Sequence, residues 1–238
     1  MALHITKILE IDAKGGPGSS LMGSDGHERT STQAGRFIIN SIEKHVSPGR
    51  YAFWSGVPWG TPMRLTNGSV EIKLGGTWKL LTSLNKWSAH SNNQAAVTKE
   101  IVNYYRKLGY KSAFPNKWVF NDFGHISVKY FKDINGDRRL NGKESIMGDF
   151  IHTTPFDEAY TTQSKPINLG ESHGCIHVKP NDIDMMISKG YLARGNTIEV
   201  HDYFEQGIPA SLFRKDAKPF FEFHFFPGIY KAAVYQSG

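Results

Sequence analysis

Apolar and polar residues alternate along much of the chain, which is the period of a half-buried β-strand. Val70, Ile72 and Leu74 fall on one face of such a strand, and the alternation resumes at Trp78 and Leu80. Two glycines lie between these runs and offer a two-residue turn. The segment therefore predicts a β-hairpin.

Further strands are predicted on both sides of the candidate chemistry. Residues 126–130 alternate in the same way, and residues 146–151 run directly into His152. A strand would give that histidine a rigid mount. Residues 197–201 predict another strand. The run of mostly aromatic residues at 220–226 predicts a strand that closes the core. The alternative is an exposed aromatic surface that binds a partner.

Signals for helices are few. Residues 91–94 form a capping box in front of apolar positions spaced three and four residues apart, and Gly109 is the expected stop. Residues 180–187, which begin with proline and are followed by Gly190, predict a second, short helix. The expected fold class is therefore mainly β with a few short helices.

A Gly/Ser-rich stretch near the start, residues 15–26, predicts a flexible loop after a short first strand. We therefore expect residues 1–30 to form an N-terminal strand and loop, and residues 31–238 to form one domain that includes the aromatic strand. A chain of 238 residues can bury a sizeable core without disulfides. Its single cysteine cannot form an internal disulfide.

That cysteine lies in the run Ser172-His173-Gly174-Cys175, with His152 upstream. A free thiol has a pKa of about 8.5 and is mostly protonated at neutral pH. A nucleophilic cysteine therefore needs an imidazole that takes its proton. Gly174 would let backbone N–H groups approach a substrate carbonyl and stabilise the oxyanion. Ser172 would orient an imidazole or the substrate. The pattern predicts a cysteine nucleophile with two candidate bases, against the alternative of an inert, buried cysteine.

The same residues resemble the catalytic domain of L,D-transpeptidases of the YkuD type. The signature of that family is an upstream histidine, a spacer, and Ser/Thr-His-Gly-Cys followed by an apolar residue. By this resemblance Cys175 is the nucleophile, His152 the general base and His173 the second histidine. Ser172 matches the Ser/Thr, and Thr153 lies beside the base, where its carbonyl could orient the imidazole.

The resemblance implies a β-sandwich or barrel fold and an activity on peptidoglycan stem peptides, without a cofactor. Cys175 would form a thioester with release of the terminal D-Ala. Another stem peptide, a free D-amino acid or water would then resolve the thioester, giving a cross-link, an exchanged stem or L,D-carboxypeptidase action. The hydrolytic outcome would suit a toxin or a remodelling enzyme. A non-catalytic wall-binding module is the alternative from another class.

Two features depart from the family pattern. Nineteen residues separate His152 from Ser172, slightly more than is usual, so we expect a longer loop over the site. His177 stands where the family usually has Arg or Asn. Because an imidazole changes charge near about pH 6–7, we expect His177 to make a pH-dependent substrate contact.

Two metal sites are alternative interpretations. His173, Cys175 and His177 share one face of an extended segment and could bind zinc together with His152, although the usual second cysteine is lacking. Residues 133–144 place oxygen-bearing side chains at positions 1, 3, 5, 9 and 12 of a calcium-type loop. Arg138 stands at position 6, where the turn favours glycine, so we interpret this loop as a polar connection between strands.

The charge of the chain suits an anionic partner. The net charge is +6, and residues 51–200 carry +5 of it. Anionic envelope polymers and the carboxylates of stem peptides would be attracted by this positive charge. Nucleic acid matches it as well, but the chain has no dense Lys/Arg run and no recognised nucleic-acid motif.

Location follows less directly from the sequence. The first ten residues are charged too early for a signal peptide, and no run of about 18 apolar residues predicts a membrane span. The resemblance implies the periplasm or cell envelope. We therefore expect export through a leader absent from this sequence, or leaderless secretion with a secretion-system component or chaperone as a partner.

Overall fold

The computed structural model describes residues 5–23, 26–47, 52–84, 87–207 and 221–237. It is mainly β, as predicted. The strands are β1 (Ile5–Lys14), β2 (Leu21–Met22), β3 (Glu28–Arg29), β4 (Gly35–Glu43), β5 (Met63–Thr66), β6 (Ser69–Leu74), β7 (Thr77–Leu80), β8 (Ser127–Phe131), β9 (Ile151–His152), β10 (Ile176–Val178), β11 (Thr197–Val200), β12 (Phe221–Phe226) and β13 (Lys231–Ser237). The α-helices are α1 (Ala52–Ser55), α2 (Gln94–Lys107), α3 (Pro155–Thr162) and α4 (Pro180–Ser188).

The chain divides into two compact units, each built from separate stretches of sequence. The first unit contains residues 1–43, 128–152 and 168–238, and the second contains residues 44–127 and 153–167. The division expected between residues 30 and 31 stays a prediction. Within the first unit, β1 runs to Lys14 and is hydrogen-bonded to both β10 and β13.

The first unit is built around one closed sheet. Its strands follow the order β1-β10-β9-β8-β4-β11-β12-β13, and β13 returns to β1. The sheet is mixed, since β9 with β10 and β11 with β12 are parallel pairs while β1 is antiparallel to both of its neighbours. Large apolar side chains fill the core, among them Phe37, Tyr130, Ile176, Phe223 and Phe225.

The C-terminal aromatic run forms β12, as predicted. Phe223 and Phe225 are buried, and β12 lies between β11 and β13 in the closed sheet. Phe220, the first residue of the predicted strand, lies outside the described residues. The prediction of a strand at residues 197–201 is also confirmed, because β11 covers Thr197–Val200.

The second unit contains the predicted hairpin and the longest predicted helix. Strands β6 and β7 pair around Gly75 and Gly76, whose φ angles of +58° and +82° suit a tight turn between antiparallel strands. Helix α2 begins two residues later than the capping box suggested. Asn93 is its N-cap and accepts a hydrogen bond from the Ala96 N–H. The helix packs Val97 and Ile101 into a core rich in tryptophan and phenylalanine.

Two predictions near the site were wrong in part. Only Ile151–His152 of the predicted strand at residues 146–151 is a strand, and Ile146 makes a single bridge with Phe131. The Gly/Ser-rich stretch holds regular structure, because β2 pairs with β3. Its residues Ser24 and Asp25 lie outside the described residues.

Within the described ranges, no helix is long and apolar enough to cross a membrane.

Candidate active site

Two short parallel strands position the candidate nucleophile. Cys175 immediately precedes β10, and Phe150 immediately precedes β9. The Phe150 N–H donates to the Cys175 Sγ at 3.4 Å, and the Ile176 N–H donates to the Phe150 carbonyl at 2.8 Å. Ile151 and Ile176 are fully buried, which anchors both strands in the core. The thiol is therefore held at a defined place where two core strands begin.

Ser172 stabilises the turn that carries the cysteine. Its hydroxyl accepts the Gly174 N–H at 3.1 Å and donates to the Cys175 carbonyl, while its own N–H donates to the Gly15 carbonyl at 3.0 Å. A serine hydroxyl has one proton to donate, and the turn uses it. Ser172 is also only 1% exposed. The structure therefore gives it a role in shaping the turn, and the expected contact with substrate or imidazole stays a prediction.

Gly174 is required for a close approach that the sequence does not reveal. Its φ angle is +123°, and a Cβ at this position would lie 2.5 Å from the Asp149 Oδ1. Its N–H already donates to Ser172, so this N–H is not directed at a substrate carbonyl. Gly174 therefore has a steric role, since glycine lets a carboxylate lie beside the nucleophile. The expected stabilisation of an oxyanion by backbone N–H groups near Gly174 stays a prediction.

The surroundings of the thiol favour its protonated form. Burial of the side chain, together with the negative charge of Asp149, raises the pKa of the Cys175 thiol to about 12, against a smaller opposing effect of the Phe150 N–H. The thiol is therefore protonated at neutral pH. In this resting state the sulfur is not the imidazole-stabilised thiolate that the sequence suggested. A base would have to remove the thiol proton as the sulfur attacks a substrate.

His152 and His177 face each other across the parallel strand pair. They are direct register partners, and their ring centroids lie 4.8 Å apart at 78°. Both are buried, with 4% and 8% of their surface exposed. The His177 Nδ1 lies 2.9 Å from the Gly170 carbonyl, a geometry in which the nitrogen donates.

The protonation of His177 differs from the expectation. Burial lowers the pKa of this imidazole to about 4, and the nearby charge of His173 acts in the same direction. His177 is therefore neutral across the usual working range. Burial therefore moves the change of charge expected near pH 6–7 to a lower pH in the folded chain, and the expected contact of His177 with substrate stays a prediction.

His173 contacts the segment that precedes β4. Its carbonyl accepts the Thr30 hydroxyl at 3.0 Å, and its ring lies edge-on to His27 with centroids 6.3 Å apart. Next to them, Arg29 and Glu171 form a partly exposed ion pair at 3.8 Å. The β2–β3 hairpin and the residues after it thus contact the Ser-His-Gly-Cys turn, a relation that no local sequence signal indicates.

Thr153 follows His152 in sequence but belongs to the second unit. Its buried hydroxyl donates to the Glu158 carboxylate, which also accepts the His125 N–H at 3.1 Å. The expected help from the Thr153 carbonyl to the base stays a prediction.

The structure brings together the side chains of only one of the two candidate metal sites within the described residues. Among the described residues, His152, His173, Cys175 and His177 do not bring three ligand atoms together, so the zinc alternative has no preformed site. The one group that does converge in the described ranges is Asp133, Asp137 and Glu144, with ligand atoms within 4.8 Å of one another.

This acidic loop is exposed and connects β8 to the stretch before β9, as the interpretation of a polar connection requires. Arg138 has a φ of +60° and donates to the Gly195 carbonyl at 2.6 Å and to the Thr197 hydroxyl at 3.1 Å. The loop is thus fixed to the start of β11. Calcium binding stays an alternative prediction for it.

Asp149 is the residue of the site that the sequence reasoning missed. It matches no motif, and its only signal is its position three residues before His152. Comparison with known proteins adds no further guide, because no family model, curated protein or solved structure matches the chain.

Proposed function

We propose that the chain is a cysteine acyltransferase of the L,D-transpeptidase kind that acts on peptidoglycan stem peptides. The observation that carries the proposal is the position of the thiol. Cys175 ends a rigid Ser-His-Gly-Cys turn at the start of β10, and its partner strand β9 carries His152. An L,D-transpeptidase-like arrangement of the closed sheet and a location in the cell envelope belong to the same proposal.

In the acylation step, the Cys175 sulfur attacks the carbonyl of the L-centre of a diamino acid at the third stem position. The thiol proton passes to an imidazole as the C–S bond forms, which a thiol with a pKa of about 12 requires. The imidazolium then gives that proton to the leaving amine, and the terminal D-Ala departs. The enzyme is left as a thioester.

We assign His152 as the base that takes this proton. It lies on the strand adjacent to that of the nucleophile, and it is buried, which limits its exchange with solvent. His173 precedes the nucleophile by two residues and is the second candidate. Burial keeps His177 neutral. We propose that the hydrogen bond from its Nδ1–H to the Gly170 carbonyl holds the end of the loop between His152 and Ser172 in place.

In the second step the thioester is resolved. An amine from another stem gives a cross-link, a free D-amino acid gives an exchanged stem, and water gives a trimmed tripeptide. The first two products define a transpeptidase, the third an L,D-carboxypeptidase. A wall-binding module without turnover would give none of them.

The test is incubation of the purified chain with muropeptides of tetrapeptide stems, followed by mass spectrometry of the products. We expect loss of D-Ala with the wild type and no change with Cys175→Ala. His90→Ala, in the second unit, is the matched control and should retain wild-type turnover. Unchanged muropeptides with the wild type, or equal turnover by Cys175→Ala, would contradict the proposal.

A further inference from the structure

Asp149 places a carboxylate beside the nucleophile, and among the described residues no Lys or Arg forms an ion pair with it. Its Oδ1 lies 2.5 Å from the position that a Cβ would take at residue 174, and its charge acts on the Cys175 thiol. Its carboxylate accepts the backbone N–H of Gln33, which fixes its orientation. The residue as a whole is partly buried and not fully enclosed.

Two other carboxylates of the first unit, by contrast, form ion pairs. Asp12 contacts Lys179 at 2.6 Å and Lys231 at 2.7 Å, and Glu199 contacts Arg36 at 2.9 Å. Around Asp149, burial and the Gln33 N–H are the influences on its pKa, and no cation of the described residues is among them. Burial raises the pKa of the carboxyl group above its ordinary value.

This arrangement is costly for the first chemical step. A carboxylate near the sulfur disfavours the negative charge that the thiol develops during attack. Glycine at position 174, in a conformation that L-residues rarely adopt, is what permits the close approach. Asp149 disfavours the attack by the sulfur, and its position also requires glycine at residue 174. We therefore expect Asp149 to act in the step that follows acylation.

We propose that Asp149 is the acceptor-selecting residue of the Cys175 site, where its carboxylate binds the ammonium group of an amine acceptor and favours aminolysis of the thioester over hydrolysis. The inference rests on the proposed function, because it requires a thioester at Cys175. It names the substrate class of the second step, a primary amine that is protonated in solution.

The protons balance as follows. The bound ammonium gives one proton to the Asp149 carboxylate and becomes a neutral amine. The amine nitrogen attacks the thioester carbonyl, the C–N bond forms and the C–S bond breaks. The second proton of the nitrogen passes to the departing sulfur and restores the thiol. The Asp149 carboxyl group then releases its proton to solvent. A carboxylate is the suitable partner because it attracts the ammonium and accepts hydrogen bonds from it.

The first experiment measures how the thioester partitions. The enzyme is loaded with a tetrapeptide muropeptide, and exchange with a D-amino acid is compared with release of the tripeptide over a range of D-amino acid concentrations. We expect Asp149→Asn to form the acyl-enzyme but to lower the ratio of exchange to hydrolysis about tenfold. Asp137→Asn, which removes the same charge from the exposed acidic loop, should keep the wild-type ratio. A wild-type ratio in Asp149→Asn would overturn the inference, whereas absence of any acyl-enzyme in the wild type would overturn the proposed function instead.

The second experiment does not depend on turnover. Cys175 is the sole cysteine, so thiol reagents report on it alone. Rates with the cationic reagent aminoethyl methanethiosulfonate are divided by those with the neutral methyl methanethiosulfonate, relative to the same ratio for free cysteine. We expect a several-fold preference for the cation in the wild type and in Asp137→Asn, and its loss in Asp149→Asn. An equal preference in all three proteins would show that the carboxylate does not face the reactants.

If Asp149→Asn does not fold, the wild type alone decides the matter. Its preference for the cationic reagent should decrease as the pH falls through the raised pKa of the Asp149 carboxyl group and as the salt concentration rises. A preference that is independent of both, or no preference at any pH, would overturn the inference.

Discussion

His152 and His177 are register partners in the β9–β10 pair, and their rings meet edge to face with centroids 4.8 Å apart. Two imidazoles this close cannot both carry a charge without mutual repulsion. Burial lowers the pKa of His177 to about 4, so this ring is neutral at neutral pH and the conflict does not arise. In the proposed reaction, His152 is the ring that takes the proton.

The neutral His177 makes stability depend on pH. Its pKa in the folded chain is about 4, below the unfolded value near 6.5, so the unfolded chain binds more protons between these values. Stability should be full above about pH 6.5 and decrease by about 3 kcal/mol as the pH falls to 4. Urea unfolding at several pH values measures this. His177→Asn should flatten the dependence in that window, and His90→Asn should not. Parallel curves for the wild type and His177→Asn would contradict the assignment.

Gly174→Ala should destabilise the first unit by about 1–3 kcal/mol, because the new Cβ meets the Asp149 carboxylate at 2.5 Å and because the φ angle of +123° is strained for alanine. Gly136→Ala, at φ +80° with no atom within 4 Å of the new Cβ, is the matched control and should cost about 1 kcal/mol. Thermal or urea unfolding compares the two variants. Equal losses would mean that Asp149 does not fill this space.

Ser172→Ala should cost about 1–3 kcal/mol, since it leaves the Cys175 carbonyl and the Gly174 N–H without their buried partner. A variant that keeps the hydroxyl, Ser172→Thr, should restore most of the stability. If Ser172 bound substrate instead, the alanine variant would keep its unfolding free energy and show a raised KM.

The thiol of Cys175 should be slow to react at neutral pH. Because its pKa is about 12, the rate of alkylation by iodoacetamide should still rise at pH 10, where a small thiol with a pKa near about 8.5 has levelled off. The pH–rate profile of the native chain, compared with that of free cysteine, measures this. A plateau below about pH 8 would indicate a thiolate held by an imidazole and would reverse our view of the resting state.

A partly buried ion network should contribute to the stability of the closed sheet. Although burial opposes the shift, hydrogen bonds from His224 and Arg36 lower the pKa of Glu222 to about 2, and Arg36 also contacts Glu199 at 2.9 Å. Arg36→Met should therefore cost about 2–4 kcal/mol, because two partly buried carboxylates lose their cation. Arg64→Met, which breaks the more exposed pair with Glu71, should cost less than about 1 kcal/mol.

Local signals in the sequence were sufficient for several elements. The glycine pair at 75 and 76 marked the β6–β7 turn, the apolar spacing marked α2, and the aromatic run marked β12. Helix α3 also had a readable start that the sequence analysis overlooked. Thr154 caps it, Pro155 occupies the first turn, and Asp157 and Glu158 follow.

The features that decide the chemistry depend on contacts between distant segments. The Ser-His-Gly-Cys run made Cys175 the candidate nucleophile, but the effect of Asp149 on its thiol depends on residues 26 positions apart in the sequence. Thr30 reaches the His173 carbonyl over 143 residues. The burial that keeps His177 neutral follows from the pairing of β9 with β10, and no single segment encodes it.

The most direct test of the account is the intact mass of the chain after brief incubation with a tetrapeptide muropeptide and an acid quench. We predict an adduct equal to the donor minus D-Ala on the wild type and none on Cys175→Ala. With His152→Ala we predict that the adduct forms about 10²–10⁴ times more slowly. The absence of an adduct on the wild type, under conditions in which iodoacetamide labels Cys175 completely, would contradict the assignment of Cys175 as an acyl-transferring nucleophile.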